Sequence, residues 1–330
     1  MSPRREAPPG TAATPPATPA GAGARAYGGS MTALEWSMLF GLALIWGGSF
    51  FFNKVLLAAF EPLTIVLGRA GIAALALVAA IHVAGGRLPR AWAAWRIFIG
   101  ASLLNNIAPF LLILWGQKHI ASGLAAILNA TTPLFAAVLA HGLAGERLAA
   151  HRFAGVLIGL GGVAVMMGPD LVAEGLGGDV VAQLAVLGAA FCYGLSSLFG
   201  RRLHALKIAP QSAAAGQLMI TAIIMLPFVL VFDRPWTLPA PGWDVWAALA
   251  GLALLSTALG YVVFFRLLSA GGVNASLVTL LVPVTALLLG TLVLGEVFTL
   301  RQAAGMTVIL IGLAVTDGRP VAFVLRRLGR

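Results

Sequence analysis

Charge is scarce in this chain of 330 residues. Only 10% of positions are Asp, Glu, Lys or Arg, 60% are hydrophobic, and the mean hydropathy is +0.96. A soluble domain cannot solvate such a surface, and a disordered chain would need far more charge, so composition alone leaves a polytopic membrane protein. Cysteine is nearly missing. The single Cys192 excludes an intrachain disulfide framework and a cysteine-based metal site, and it reads as a packed thiol in an apolar span. Glycine-rich nucleotide loops are missing too: the glycines from Gly155 to Gly162 follow no strand and open no soluble helix. The five histidines, His82, His119, His141, His151 and His204, fall at span ends without metal-ligand spacing. No metal or other cofactor is expected. A net charge of +10 would fit nucleic acid, but the Lys and Arg residues form short clusters between apolar runs, so no nucleic-acid partner is expected.

What the chain has instead is apolar runs. Residues 1–30 are rich in Ala, Pro, Gly and Thr and read as a disordered cytoplasmic tail; Met31 is a second candidate start. Ten spans follow: Trp36–Leu57, Pro62–Ala84, Ile97–Gly116, Ala121–Gly142, Ala149–Met167, Val181–Leu203, Pro210–Phe232, Trp243–Leu268, Val273–Leu294 and Leu300–Thr316. A basic cytoplasmic tail, residues 317–330, closes the chain. Trp36, Trp92, Trp95, Trp115, Trp236, Trp243 and Trp246 lie near the ends of spans, as an interfacial aromatic belt requires. Trp46 alone lies well inside one.

The pattern repeats. Pro133, Gly145, Glu146, Gly155 and Gly162 recur at an offset of 150 as Pro283, Gly295, Glu296, Gly305 and Gly312. At an offset of 147, Gly41, Gly47, Ser49 and Phe52 of span 1 recur as Gly188, Gly194, Ser196 and Phe199 of span 6. Two repeats of five spans, residues 34–168 and 181–316, must enter the membrane in opposite senses because five is odd. Inverted repeats of this kind are the architecture of alternating-access transporters.

Orientation follows from the cations. With a cytoplasmic N-terminus, sixteen of the twenty-one Lys and Arg residues fall inside and four outside, with Arg69 within span 2. The positive-inside rule then places both termini in the cytoplasm of a bacterial-type cell (inner) membrane and the acidic loop Pro169 to Val180 outside.

The segments LALIWGGSFFFNKVLL and EPLTIVLGRAGIAALAL, and the two proline-containing spans that each end in Gly-Glu, resemble EamA-type members of the drug/metabolite transporter superfamily over about residues 34–316. The resemblance implies an all-α bundle of ten helices around a central cavity lined mainly by spans 1, 3, 4, 6, 8 and 9.

Polar residues in those spans are the candidate substrate contacts, because polar groups at membrane depth face a partner or a wet cavity. Trp46, Ser49 and Asn53 share one face of span 1, Tyr193, Ser196 and Gly200 hold the corresponding places in span 6, and Ser197 is a further candidate beside them. Asn105 and Asn106 precede Pro109, Asn129 precedes Pro133, and Tyr261 and Thr279 come from spans 8 and 9. Interhelical hydrogen bonding accounts equally well for the Asn residues and better for Ser and Thr. Of the eleven acids, none is at mid-depth, so an intramembrane enzyme lacks its acids and a proton-coupled cation exporter lacks its carboxylate. Arg69 lies close enough to the outer end of span 2 to snorkel outward or to pair with a polar group. The expected function is export of small neutral or zwitterionic metabolites, amino acids among them, with the bilayer and a small-molecule substrate as partners and a monomer or weak dimer as the assembly.

Overall fold

The computed structural model describes residues 32–146, 148–174, 177–205, 208–271 and 277–318. The expected N-terminal tail, residues 1–30, the expected C-terminal tail from residue 319 onward and the start of the ninth span at Val273 lie outside the described residues, while α10 takes in Asp317, the first residue of the expected tail 317–330.

The fold is all-α. Its spanning helices are α1 (Ala33–Leu57), α2 (Pro62–Val83), α3 (Trp92–His119), α4 (Ser122–Leu143), α5 (Ala150–Glu174), α6 (Gly178–Ala205), α7 (Pro210–Phe228), α8 (Trp243–Leu268), the shorter α9 (Val278–Leu292) and α10 (Leu300–Asp317). Local chemistry sets the ends. Reciprocal side-chain caps open α1 (Thr32 with Glu35) and α10 (Thr299 with Gln302), and Pro62 and Pro210 start α2 and α7, where a missing N–H costs nothing. The repeated Gly-Glu pair is a helix stop. Gly145 and Gly295 both sit at φ +67°, and the N–H of the following Glu bonds back to Ala140 O (3.2 Å) or Gly290 O (2.9 Å). The loop expected from Pro169 to Val180 is shorter than the sequence implies. The helix α5 continues through Pro169 to Glu174, since the proline removes one helix hydrogen bond without obliging the turn to end.

Helix packing carries the internal symmetry. A Cβ on Gly47 of α1 would stand 2.9 Å from Ala286 N of α9, and one on Gly194 of α6 would stand 2.9 Å from Ala136 N of α4. Those are the same contact in the two repeats. In the α5–α10 pair a Cβ on Gly312 would lie 2.7 Å from Gly155 O, and one on Gly162 would lie 2.8 Å from Gly305 O. Each contact is the other with its partners exchanged, as a two-fold relation demands. The chain is thus two inverted five-helix repeats, and small residues let their backbones touch.

Three helices depart from α geometry where they face the middle of the bundle. Leu103–Ile107 in α3 and Gly251–Leu259 in α8 are π-helical, and α4 breaks between Asn129 and Thr132. Pro133 explains the break, because it cannot donate to Asn129 O; the Thr132 hydroxyl takes that carbonyl instead at 2.7 Å.

Candidate functional site

Around those irregular turns lies a cavity of 320 Å³, within the range of roughly 300 to 1,000 Å³ typical of ligand pockets. It is walled by Trp46, Ser49, Phe50 and Asn53 from α1, by Asn105, Phe110 and Ile113 from α3, and by Asn129, Ala130 and Thr132 from α4. Tyr193 of α6, Ser256, Thr257, Tyr261 and Phe264 of α8, and Thr279 and Val282 of α9 complete most of the wall. These are the six spans that the resemblance implies, and one further residue, Arg69, enters from α2.

Most of the candidate residues line the cavity: Trp46, Ser49, Asn53, Asn105, Asn129, Tyr193, Tyr261 and Thr279. Their roles differ. Trp46 stacks obliquely on Phe264, with ring centroids 5.3 Å apart, and presents an aromatic wall. The Ser49 hydroxyl donates to Trp46 O at 2.6 Å, so it is satisfied by its own helix. The Asn105 amide donates to the Tyr261 hydroxyl (3.1 Å) and to Gln217 Oε1 (3.3 Å), while its Oδ1 accepts from Ser196 (3.2 Å). Asn105 therefore fixes the Tyr261 ring against the wall. Asn129, beside the break in α4, has a buried Oδ1 with no hydrogen-bond partner among the described residues.

The other candidates, Asn106, Ser196 and Ser197, stand outside the cavity. Asn106 is fully buried behind the wall and accepts from the Tyr261 hydroxyl at 3.4 Å. Ser197 donates to Gly194 O of its own helix at 2.6 Å and does not reach the cavity; the adjacent Ser196 makes the cross-helix bond to Asn105. A π turn shifts the angular register of every side chain after it, so α-helical spacing cannot assign faces near Asn105 and Asn106.

Sequence reasoning missed Arg69 as a site residue. Arg69 does not snorkel. Its Nε donates to Thr257 Oγ1 at 2.8 Å and its guanidinium carbon lies 3.7 Å from the Phe110 ring centroid, both at the cavity. The signal was present, since an ionisable residue well inside a span is a functional candidate by default. Asn53 is 2% exposed; its amide donates to Gln117 Oε1 at 2.9 Å and its Oδ1 has no hydrogen-bond partner among the described residues.

From Asn53 a polar network runs to one end of the bundle. Gln117 Nε2 donates to Phe50 O (2.9 Å) and to Ser122 Oγ (3.2 Å), and Lys54 donates to Gln117 O (2.7 Å) and Ile120 O (3.3 Å). Lys118 pairs with Glu61 beside it.

A multi-pass bundle of inverted repeats around a mid-depth cavity defines a membrane transporter. The EamA-like transporter family model matches residues 34–168 and 180–316, and the chain belongs to that family. It is 28% identical to the uncharacterized transporter YoaV of Bacillus subtilis over 276 residues, 82% of this chain and 92% of that one. Its identity to the uncharacterized inner membrane transporter YedA of Escherichia coli K12 is 24%, covering 85% of this chain and 90% of that one. A probable terminal-alkyne amino-acid exporter of Streptantibioticus cattleyicolor is 29% identical over 79% of this chain and 86% of its own length. A solved crystal structure shares the fold with a TM-score of 0.62 at 21% identity, over 91% of this chain and all of the other.

Proposed function

We propose that the protein exports small neutral or zwitterionic metabolites, amino acids among them, by alternating access around the central cavity, as a secondary transporter of a bacterial-type cell membrane with both termini cytoplasmic. The observation that carries this reading is the cavity wall: aromatic faces, amides, hydroxyls and the single cation Arg69, with no Asp or Glu among the lining residues. Such a wall holds a compact, partly apolar molecule, whereas a lipophilic cation would enter without a counter-charge. The similarity to a probable terminal-alkyne amino-acid exporter points the same way. The inverted repeat supports alternating access, because two related halves can exchange conformations about a fixed site.

Counterflow of radiolabelled leucine and phenylalanine in proteoliposomes tests the proposal. Uptake is expected in the wild type and is expected to fall at least about tenfold in Trp46→Ala, which removes the aromatic wall. Proton-driven flux of a quaternary ammonium dye that is lost on changing a single acid would overturn it.

A further inference from the structure

We propose that Arg69 is the carboxylate-binding residue of the central cavity, so that the substrates are small organic molecules carrying a carboxylate, with an amino group optional. This rests on the transport reading; it narrows the neutral and zwitterionic class to carboxylates and adds simple carboxylate anions to it.

Arg69 is a cation among apolar neighbours: Ile65, Val66 and Ala70 on its own helix are at most 1% exposed. Holding a charge there is costly unless it is paired. Yet the protein gives it only neutral company, the Thr257 hydroxyl at Nε and the face of Phe110. The terminal amino groups of the guanidinium have no hydrogen-bond acceptor among the described residues, and no described Asp or Glu forms an ion pair with it. Two cations nearer the end of the bundle are better supplied. Lys54 holds two backbone carbonyls and Lys118 holds Glu61.

A guanidinium fixed through Nε, with its outer fork open to a cavity, is oriented for a planar anion that accepts two parallel N–H bonds, which is the geometry of a carboxylate. The surroundings agree. The Tyr193 hydroxyl also lines the cavity and makes no hydrogen bond of its own among the described residues, so it is a second donor for the same anion. Two cavity-lining residues on α1 and α4, Asn53 and Asn129, each keep a buried Oδ1 without a hydrogen-bond partner among the described residues. Charge decides the class. A carboxylate neutralises Arg69, an amine adds a second cation to an uncompensated one, and an amide leaves the fork unfilled.

The test uses matched ligands on the purified full-length protein: phenylalanine, 3-phenylpropionate, phenylalaninamide and phenethylamine, with the leucine-derived set beside them. Binding is read from thermal stabilisation and transport from counterflow. Both acids of each set are expected to bind about tenfold or more tightly than the amide and the amine. Arg69→Gln is expected to remove that preference, and Arg69→Lys to retain part of it, because the charge stays while the fork is lost. The wild-type ligand series stands by itself if a variant fails to fold. Amides bound as tightly as acids, or an acid preference unchanged in Arg69→Gln, would overturn the assignment. Acids that bind but are not moved would leave Arg69 as the anchor and sink the transport reading. Amides moved as fast as acids would do the reverse, and a panel in which nothing binds at millimolar concentration sinks both.

Discussion

The carboxylate of Glu296 accepts the backbone N–H groups of Ser122 (2.8 Å) and Gly123 (3.3 Å), tying the turn after α9 to the first turn of α4, which lies in the other repeat. Those N–H groups have no partner within their own helix, and the helix dipole favours an anion there. Glu296→Gln is expected to cost on the order of 1–2 kcal/mol and to lower the melting temperature by a few degrees. The tie joins the repeats, so counterflow rates should change as well. A variant that matches the wild type in both melting and flux would show that the tie is decorative.

Gly312 has no room for a side chain. Its Cβ would stand 2.6 Å from Gly159 Cα, a backbone atom that cannot step aside. Gly312→Ala should therefore push α10 off α5 and destabilise the protein by about 1–3 kcal/mol. The control is Gly161→Ala, where nothing lies within 4 Å of the added carbon and melting should hardly move. Equal behaviour of the two variants in thermal melting and gel filtration would contradict the glycine seam.

The charge bias between inside and outside segments makes topology testable without any ligand. Reporter fusions at Gly177, between α5 and α6, and after Gly318, at the end of α10, should report opposite faces of the membrane, with Gly318 cytoplasmic. Five spans separate the two points. Finding both on one side would be incompatible with five helices per repeat.

How far the sequence reaches can be judged residue by residue. Class and symmetry were legible because they depend on composition and on matched glycines and prolines. Gly47 and Gly194 occupy equivalent places and touch equivalent neighbours, Ala286 and Ala136. Trp46 was legible for a related reason: the other tryptophans fall near span ends, so one inside a span needed another explanation.

Which polar side chain meets which was not legible. Asn105 and Asn106 are neighbours in a π turn, and only packing against Tyr261 and Gln217 puts Asn105 in the cavity wall and Asn106 behind it. Ser196 and Ser197 differ by one helical step, which decides that Ser196 reaches Asn105 while Ser197 folds back on its own backbone. Arg69 shows the limit most clearly. Its depth in α2 was countable from the sequence, but a long side chain at that depth can point toward either the interface or the bundle. The sequence by itself determined a ten-helix inverted repeat, since hydropathy and spacing are properties of the chain. Only the tertiary structure, by setting Thr257 and Phe110 against the guanidinium, decided that the cavity contains a cation.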